Sequence, residues 1–310
     1  MMKILLICSS DIMAIPAALQ LKAAGLLAAI AIPAKHKERL LPSFIQVGFG
    51  QETIHFLNKE TLNDEMISLL KNYEADTIIV ITFPWKLSKV VLSIPLNGCF
   101  NYHPGLLPKY KGADPIFWQI RNMEKNIGLT LHVMTPEIDA GPIVMTQELM
   151  LMPGENYGIL IQRIALLIGE NILKNIESIK QRNFKAQDSD TEAIFQKRPT
   201  KEQLQIDWNN QSASEIEALI NASNPKYNGA YTSFRGIELT ILEVSPADLN
   251  NGPEKIQPGT IVYADGLYGL VVACKDNQFL KINIVCMQEG YLTGSKLFSM
   301  GFRTGEIFGK

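Results

Sequence analysis

The first 180 residues alternate between short apolar runs and longer amphipathic stretches. Lys3–Cys8 is an apolar run of the kind that forms a strand buried on both faces. Ser9, Ser10 and Asp11 follow as good N-caps for a helix over Ile12–Ala24. Gly25 stops that helix, and Leu26–Ile32 reads as a second strand. Strand, helix and strand in this order predict a parallel α/β sheet. Leu62–Tyr73 has helical spacing, and the β-branched run Thr77–Thr82 predicts another buried strand. Cys99–Tyr102, Ile127–Met134 and Ile143–Met150 are further strand candidates, and Tyr157–Ile179 is a long amphipathic helix that could close the unit. Residues 181–205 turn polar and charged and read as a linker. From Ile206 the pattern changes. A helix over Ser212–Ala222 precedes short strands at Tyr231–Phe234, Glu238–Val244, Gly259–Tyr263, Gly269–Cys274 and Phe279–Val285, divided by Gly, Pro, Asn and Asp. That spacing suggests a small β-barrel. The expected organisation is an α/β domain over 1–180, a linker over 181–205 and a β-barrel domain over 206–310.

Composition narrows the class. Of 310 residues, 46% are hydrophobic, enough for a sizeable core, so disorder is excluded as the main state. Residues 201–310 carry nine basic against twelve acidic side chains, so the second domain is poor material for a nucleic-acid module. Cys8, Cys99, Cys274 and Cys286 form no CxxC pair, which argues against a zinc ribbon and for reduced, mostly buried thiols. Ile4–Cys8 is too short for a signal-peptide core, and no 18 consecutive apolar residues occur, so a cytoplasmic location and no membrane partner are expected.

The turn after the first strand, Cys8-Ser9-Ser10-Asp11, has no glycine for a dinucleotide pyrophosphate, and no P-loop is present. A nucleotide cofactor is not expected, and neither is a metal. The richest chemistry lies in Asn101 to Pro115. Asn101 and His103 are two apart, so an extended chain puts both on one face, at the end of a strand where α/β sheets bind ligands. A second segment, Gly128 to Ile143, holds Thr130, His132 and Asp139, the last in a Gly/Pro-rich turn between two strands. Such a carboxylate caps its own turn or reaches a histidine on a neighbouring strand.

At these two segments the sequence resembles the folate-dependent formyltransferases. The matching positions are Asn101, His103, Leu106–Pro108, Lys111, Gly112, Thr130, His132, Asp139, Gly141 and Ile143. The resemblance extends into the second domain, through Ile206-Asp207-Trp208, Asn224-Pro225, Gly229–Thr232, Pro258-Gly259 and Gln288–Gly290. It implies a Rossmann-like catalytic domain followed by a barrel resembling an OB fold. It also implies transfer of the formyl group of 10-formyltetrahydrofolate to a primary amine. On that resemblance Asn101 and His103 serve the oxyanion and the proton transfers, Asp139 orients His103, and Thr130 and His132 support them. His132 reads equally well as an ordinary hydrogen-bonded strand histidine. The same resemblance makes Phe83, Pro84, Trp85 and Leu87, with Met134 and Ile138, the slot for the flat pterin ring. Pro84 and Trp85 depart from the family's aromatic-glycine pattern there.

The acceptor is the open question. Ser9-Ser10, Pro104-Gly105 and Ala113-Asp114-Pro115 differ from the forms usual in the tRNA-acting branch and favour an amino sugar, an amino acid or a carrier-bound amine. Initiator tRNA is the alternative. Lys35-His36-Lys37-Glu38-Arg39 is either a tRNA-probing loop or, as favoured, a solvated helix start. Hydrolysis of the formyl donor and folate binding without turnover are weaker alternatives.

Overall fold

A computed structural model describes residues 2–188, 194–249 and 256–310. The chain divides into two compact units. One comprises Met1–Pro115, Asn126–Met150 and Ile161–Gln196, and the other Ile116–Lys125, Leu151–Leu160 and Lys197–Lys310.

In chain order the first part of the structure runs β1 (Ile4–Cys8), α1 (Asp11–Ala23), β2 (Leu27–Pro33), α2 (Lys37–Gln46), β3 (Ile54–Leu57), α3 (Leu62–Asn72), β4 (Thr77–Ile81), α4 (Lys89–Leu92), β5 (Gly98–His103), β6 (Tyr110–Gly112), α5 (Pro115–Arg121), β7 (Asn126–Val133), β8 (Ile143–Met150), α6 (Tyr157–Gln181) and β9 (Ile194–Gln196). Seven strands form one sheet in the order β3-β2-β1-β4-β5-β7-β8. The first five are parallel, while β5–β7 and β7–β8 pair antiparallel. The sheet is therefore mostly parallel, as expected. The strand β3 escapes the hydrophobic pattern because it is four residues long and His55 interrupts it.

Every residue of β1 and β4 is buried, which explains their unbroken apolar sequence. Ser10 caps α1, its hydroxyl accepting from the Met13 amide. Within β5, Tyr102 points to the opposite face from Asn101 and His103. Its ring is 1% exposed, and its hydroxyl accepts from the amide of Asn175 on α6 at 2.9 Å. The strand is thus pinned to a helix through one face while the other face carries the polar pair.

The stretch expected as a linker has paired backbone at two places. Lys185 exchanges both backbone hydrogen bonds with Ile143, and β9 pairs in parallel with β6. Residues 189–193 of that stretch lie outside the described residues.

The second unit contains α7 (Ala213–Ser223), β10 (Ala230–Phe234), β11 (Ile237–Ala247), β12 (Ile261–Asp265), β13 (Gly269–Ala273), β14 (Phe279–Met287), β15 (Gly290–Thr293) and α8 (Gly294–Ser299). The strands form an antiparallel path, β10-β11-β14-β13-β12, with β15 on β14. The C-terminal tail bridges both edge strands. Gly309 donates to Ser233, and the Glu306 carbonyl accepts from Ile261. Ser212 caps α7 in a reciprocal capping box with Glu215. Cys8, Cys99 and Cys274 are buried, and burial pushes the Cys99 and Cys274 thiols up to about 12. Among the described residues no helix is long and apolar enough to cross a membrane.

Removing only the Tyr102 hydroxyl leaves the ring's packing in place but strands the buried amide of Asn175. Tyr102→Phe should cost about 1–3 kcal/mol of stability, measured by urea unfolding of the purified chain. A loss below a few tenths would mean that α6 does not pin β5 through this bond.

Candidate active site

The register of β5 against β7 builds the site. Asn101 lies opposite His132, and His103 lies opposite Thr130. Because side chains alternate along a strand, all four stand on one face. The Asn101 amide donates to Nε2 of His132 at 3.2 Å. Thr130 ties down the loop beyond β5, its hydroxyl donating to the Gly105 carbonyl at 2.7 Å and accepting from the Leu107 amide at 3.3 Å.

The turn after β7 brings Asp139 to the two histidines. Oδ2 of Asp139 lies 3.6 Å from Nδ1 of His103, and Oδ1 lies 3.4 Å from Nε2 of His132. The Gly112 amide donates to Oδ2 at 2.9 Å. Asp139 itself adopts φ +53°, a left-handed conformation that Asp tolerates better than most residues. Gly141 lets the turn close, since a Cβ there would lie 1.9 Å from the Val133 carbonyl oxygen. His103, His132 and Asp139 are 3%, 2% and 8% exposed, while Asn101 is half-buried. Among the described residues no group of three or more His, Cys, Asp or Glu side chains is arranged to hold a metal.

Hydrogen-bond partners define the proton positions. Nε2 of His103 donates to the Tyr110 carbonyl at 2.5 Å, so in the neutral ring Nδ1 keeps the lone pair that faces Asp139. Nδ1 of His132 lies 2.9 Å from the Val133 carbonyl, and Nε2 faces both the Asn101 amide and the Asp139 carboxylate. Burial lowers the pKa of His103 below the ordinary 6.5, against the raising effects of Asp139 and the Tyr110 carbonyl; the neighbouring His132 lowers it further. Burial works to raise the Asp139 carboxyl, but hydrogen bonds and charge from His132, His103 and Gly112 outweigh it and hold the group below its usual range. The arrangement is a neutral imidazole beside an ionised carboxylate, with one amide reaching toward solvent.

The expected ring-slot residues separate. Phe83 and Trp85 meet edge to face with centroids 5.3 Å apart, and both pack, with Met134, on the buried cluster that includes Leu87. Pro84, Trp85, Leu87 and Pro136, with Lys59 and Lys89, line a hollow of about 620 Å³. Ile138 is not part of that cluster and is 46% exposed. A larger hollow of about 790 Å³, lined by His55, Phe56 and Tyr73, shares no residue with the site.

Three contributors carry no side-chain signal that spacing could reveal. The Gly112 amide and the Tyr110 carbonyl are backbone groups, and only the glycine of Lys111-Gly112 marks one of them. Gln187 sits in a polar stretch, yet its amide donates to the carbonyls of Asp139 and Gly141. Thr82 ends β4 at φ +59°, a strained conformation for a β-branched residue, and accepts a hydrogen bond from Ser9 at 3.2 Å.

The sheet turns antiparallel after its fifth strand, and Asn101, His103 and Asp139 converge at that junction, an arrangement suited to group transfer. The chain belongs to the formyl transferase family: residues 16–176 match formyl transferase, and 198–302 match the formyl transferase C-terminal domain. The methionyl-tRNA formyltransferase of Thermotoga maritima is 31% identical over 235 residues, covering 75% of this chain and 73% of that one. Among solved structures, a HypX variant from Aquifex aeolicus superposes with a TM-score of 0.70 at 17% identity over 99% of this chain; the chain spans about half, 49%, of that protein's length. WlaRD, a sugar 3N-formyl transferase solved in the presence of dTDP and 5-N-formyl-THF, superposes with a TM-score of 0.63 at 18% identity, covering 90% of this chain and 96% of that one.

The buried pair sets a titration that NMR can follow. The His103 imidazole should titrate below 6.5, and Asp139→Asn should move it lower still, because the carboxylate is what holds it up. The folded chain resists protonating His103, so this group's contribution to stability is present above the unfolded value of about 6.5 and declines as pH falls below it. A His103 titration above 6.5 would contradict the burial argument.

Proposed function

We propose that the chain transfers the formyl group of 10-formyltetrahydrofolate to a primary amine on a small-molecule or carrier-bound acceptor, in the cytoplasm. The observation that carries the reading is the convergence of Asn101, His103 and Asp139 at the end of β5. The folate reading is supported by the Phe83–Trp85 edge and the hollow beside it, since a flat ring suits an aromatic-lined slot. Among relatives, WlaRD was solved with 5-N-formyl-THF.

The donor supplies an activated formyl carbon. The Asn101 amide has two N–H groups; one is engaged by His132, and the other is available for the oxygen on which negative charge develops. As the amine nitrogen bonds to the formyl carbon, His103 takes its proton, and on collapse the bond from that carbon to N10 of the folate breaks and the proton is returned to N10. In the competent tautomer Nδ1–H turns to Asp139, and Nε2 gives up its Tyr110 contact to become the base. The carboxylate then stabilises the imidazolium, as it does beside other catalytic histidines.

For the acceptor, the basic stretch Lys35–Arg39 is engaged within its own unit. The Lys35 ammonium lies over the Trp85 ring at 5.6 Å and that of Lys37 over Phe56 at 4.7 Å, while Arg39 donates to the Ser9 carbonyl at 2.9 Å. A solvated helix start fits these contacts better than a free tRNA-probing loop. Initiator tRNA is the second reading, favoured by the match of both domains to methionyl-tRNA formyltransferases.

Calorimetry with 5-formyltetrahydrofolate should show binding; none at millimolar ligand would remove the folate reading. Asn101→Ala and His103→Ala should each lower turnover by about 10²-fold or more, and Asp139→Asn should be non-additive with His103→Ala. Additive losses would mean that Asp139 only shapes its turn.

A panel of nucleotide-linked amino sugars, amino acids and charged initiator tRNA should locate the acceptor. Apparent affinity for a sugar or amino-acid amine should change little between about 50 and 200 mM salt. Efficient tRNA formylation with a steep salt slope would select the second reading.

A further inference from the structure

Asp139 must lie against two buried histidines, yet it sits in a turn with a left-handed backbone and exposed neighbours on both sides. Something must hold that turn in place. Its carboxylate is held by the Gly112 amide and faces His103 and His132. Its main chain is held from elsewhere. Nε2 of Gln187 donates to the Asp139 carbonyl and to the Gly141 carbonyl, each at 2.8 Å, across 48 and 46 residues of sequence.

The fit is specific to a primary amide. One nitrogen offers two N–H groups, and each meets one carbonyl. Two residues earlier, Lys185 exchanges both backbone hydrogen bonds with Ile143, so the clamp is anchored beside the turn it grips. Oε1 of Gln187 is buried and finds no protein partner among the described residues. A buried acceptor left unpaired is costly. The amide's orientation is therefore set by the two carbonyls it grips.

We propose that Gln187 is a positioning residue that holds the Asp139 carboxylate against His103. The proposal rests on the reading of Asp139 as the partner of His103 in formyl transfer. Loss of the clamp frees the turn, and the carboxylate drifts from the imidazole. Both Gln187 hydrogen bonds go to the turn and neither to Phe83, Pro84, Trp85 or Leu87, so turnover should suffer more than donor binding. The titratable groups facing His103 are Asp139 and His132, so drift of Asp139 removes the charge that raises its pKa.

The test uses the full chain. Gln187→Met keeps the length and removes both donors. It should lower kcat about 10- to 100-fold with the acceptor that turns over in the panel above, and leave the affinity for 5-formyltetrahydrofolate within about twofold. The His103 titration, followed by NMR, should move to lower pH, as in Asp139→Asn. Adding Gln187→Met to Asp139→Asn should cost nothing further. Gln187→Lys, which again offers N–H donors to both carbonyls, should recover most of the activity. If Gln187→Met fails to fold, Gln187→Asn, whose amide is one methylene too short to reach both carbonyls and adds no charge, carries the same expectations.

An unmoved His103 titration or unchanged kcat in the Gln187 variants, with Asp139→Asn impaired, overturns the positioning role alone. If Asp139→Asn itself leaves kcat and the His103 titration unchanged, the catalytic reading beneath it fails.

Discussion

The register between β5 and β7 is the constraint on which the site depends. Asn101 and His103 share a face only because β5 is extended, and they meet His132 and Thr130 only because β7 runs back antiparallel in one particular alignment. A slip of one residue would send the polar pair into the packed side and bring Tyr102 out. That slip is blocked from behind, where the buried Tyr102 ring and its bond to Asn175 fix which way the strand faces. The parallel strands supply the rigid floor. The antiparallel addition at its edge supplies the second set of functional groups.

Electrostatics then divides the labour among buried groups. A carboxylate removed from water ordinarily gains a proton. Asp139 stays ionised because an amide and two imidazoles face it. His103 is pulled both ways, with burial winning over the carboxylate, so it rests neutral and ready to accept a proton. Its contact with the Tyr110 carbonyl ties up Nε2, the nitrogen assigned as base in the proposed mechanism. On that proposal the resting arrangement is one tautomer away from the working one.

Much of this was legible in the residues. The buried strands announced themselves through unbroken apolar runs, and the spacing of Asn101 and His103 predicted their common face. The motif around Asp139 marked a carboxylate in a turn, and the resemblance to formyltransferases supplied the chemistry. What the sequence hid was long-range or made of backbone. Nothing about Gln187 suggests that it reaches a turn 48 residues away. A four-residue strand with a histidine inside it, β3, lacks the length to stand out, and Thr82 gives no hint of a left-handed backbone. Ile138, expected from the resemblance to line the ring slot, is 46% exposed while neighbouring Asp139 takes the inward position in that turn.

The parallel pairing of β6 with β9 bears on how the protein can be shortened. Gly112 grips the Asp139 carboxylate, and a side chain there would collide with the backbone of Gln196, since a Cβ would lie 2.3 Å from that residue's carbonyl oxygen. A fragment cut at the end of the long helix would keep all seven strands of the main sheet and every residue of the Asn–His–Asp group. It would still lose the strand that backs Gly112. The smallest piece worth expressing for crystallography or ligand screening therefore runs to residue 196 at least, some fifteen residues past the end of α6 at Gln181.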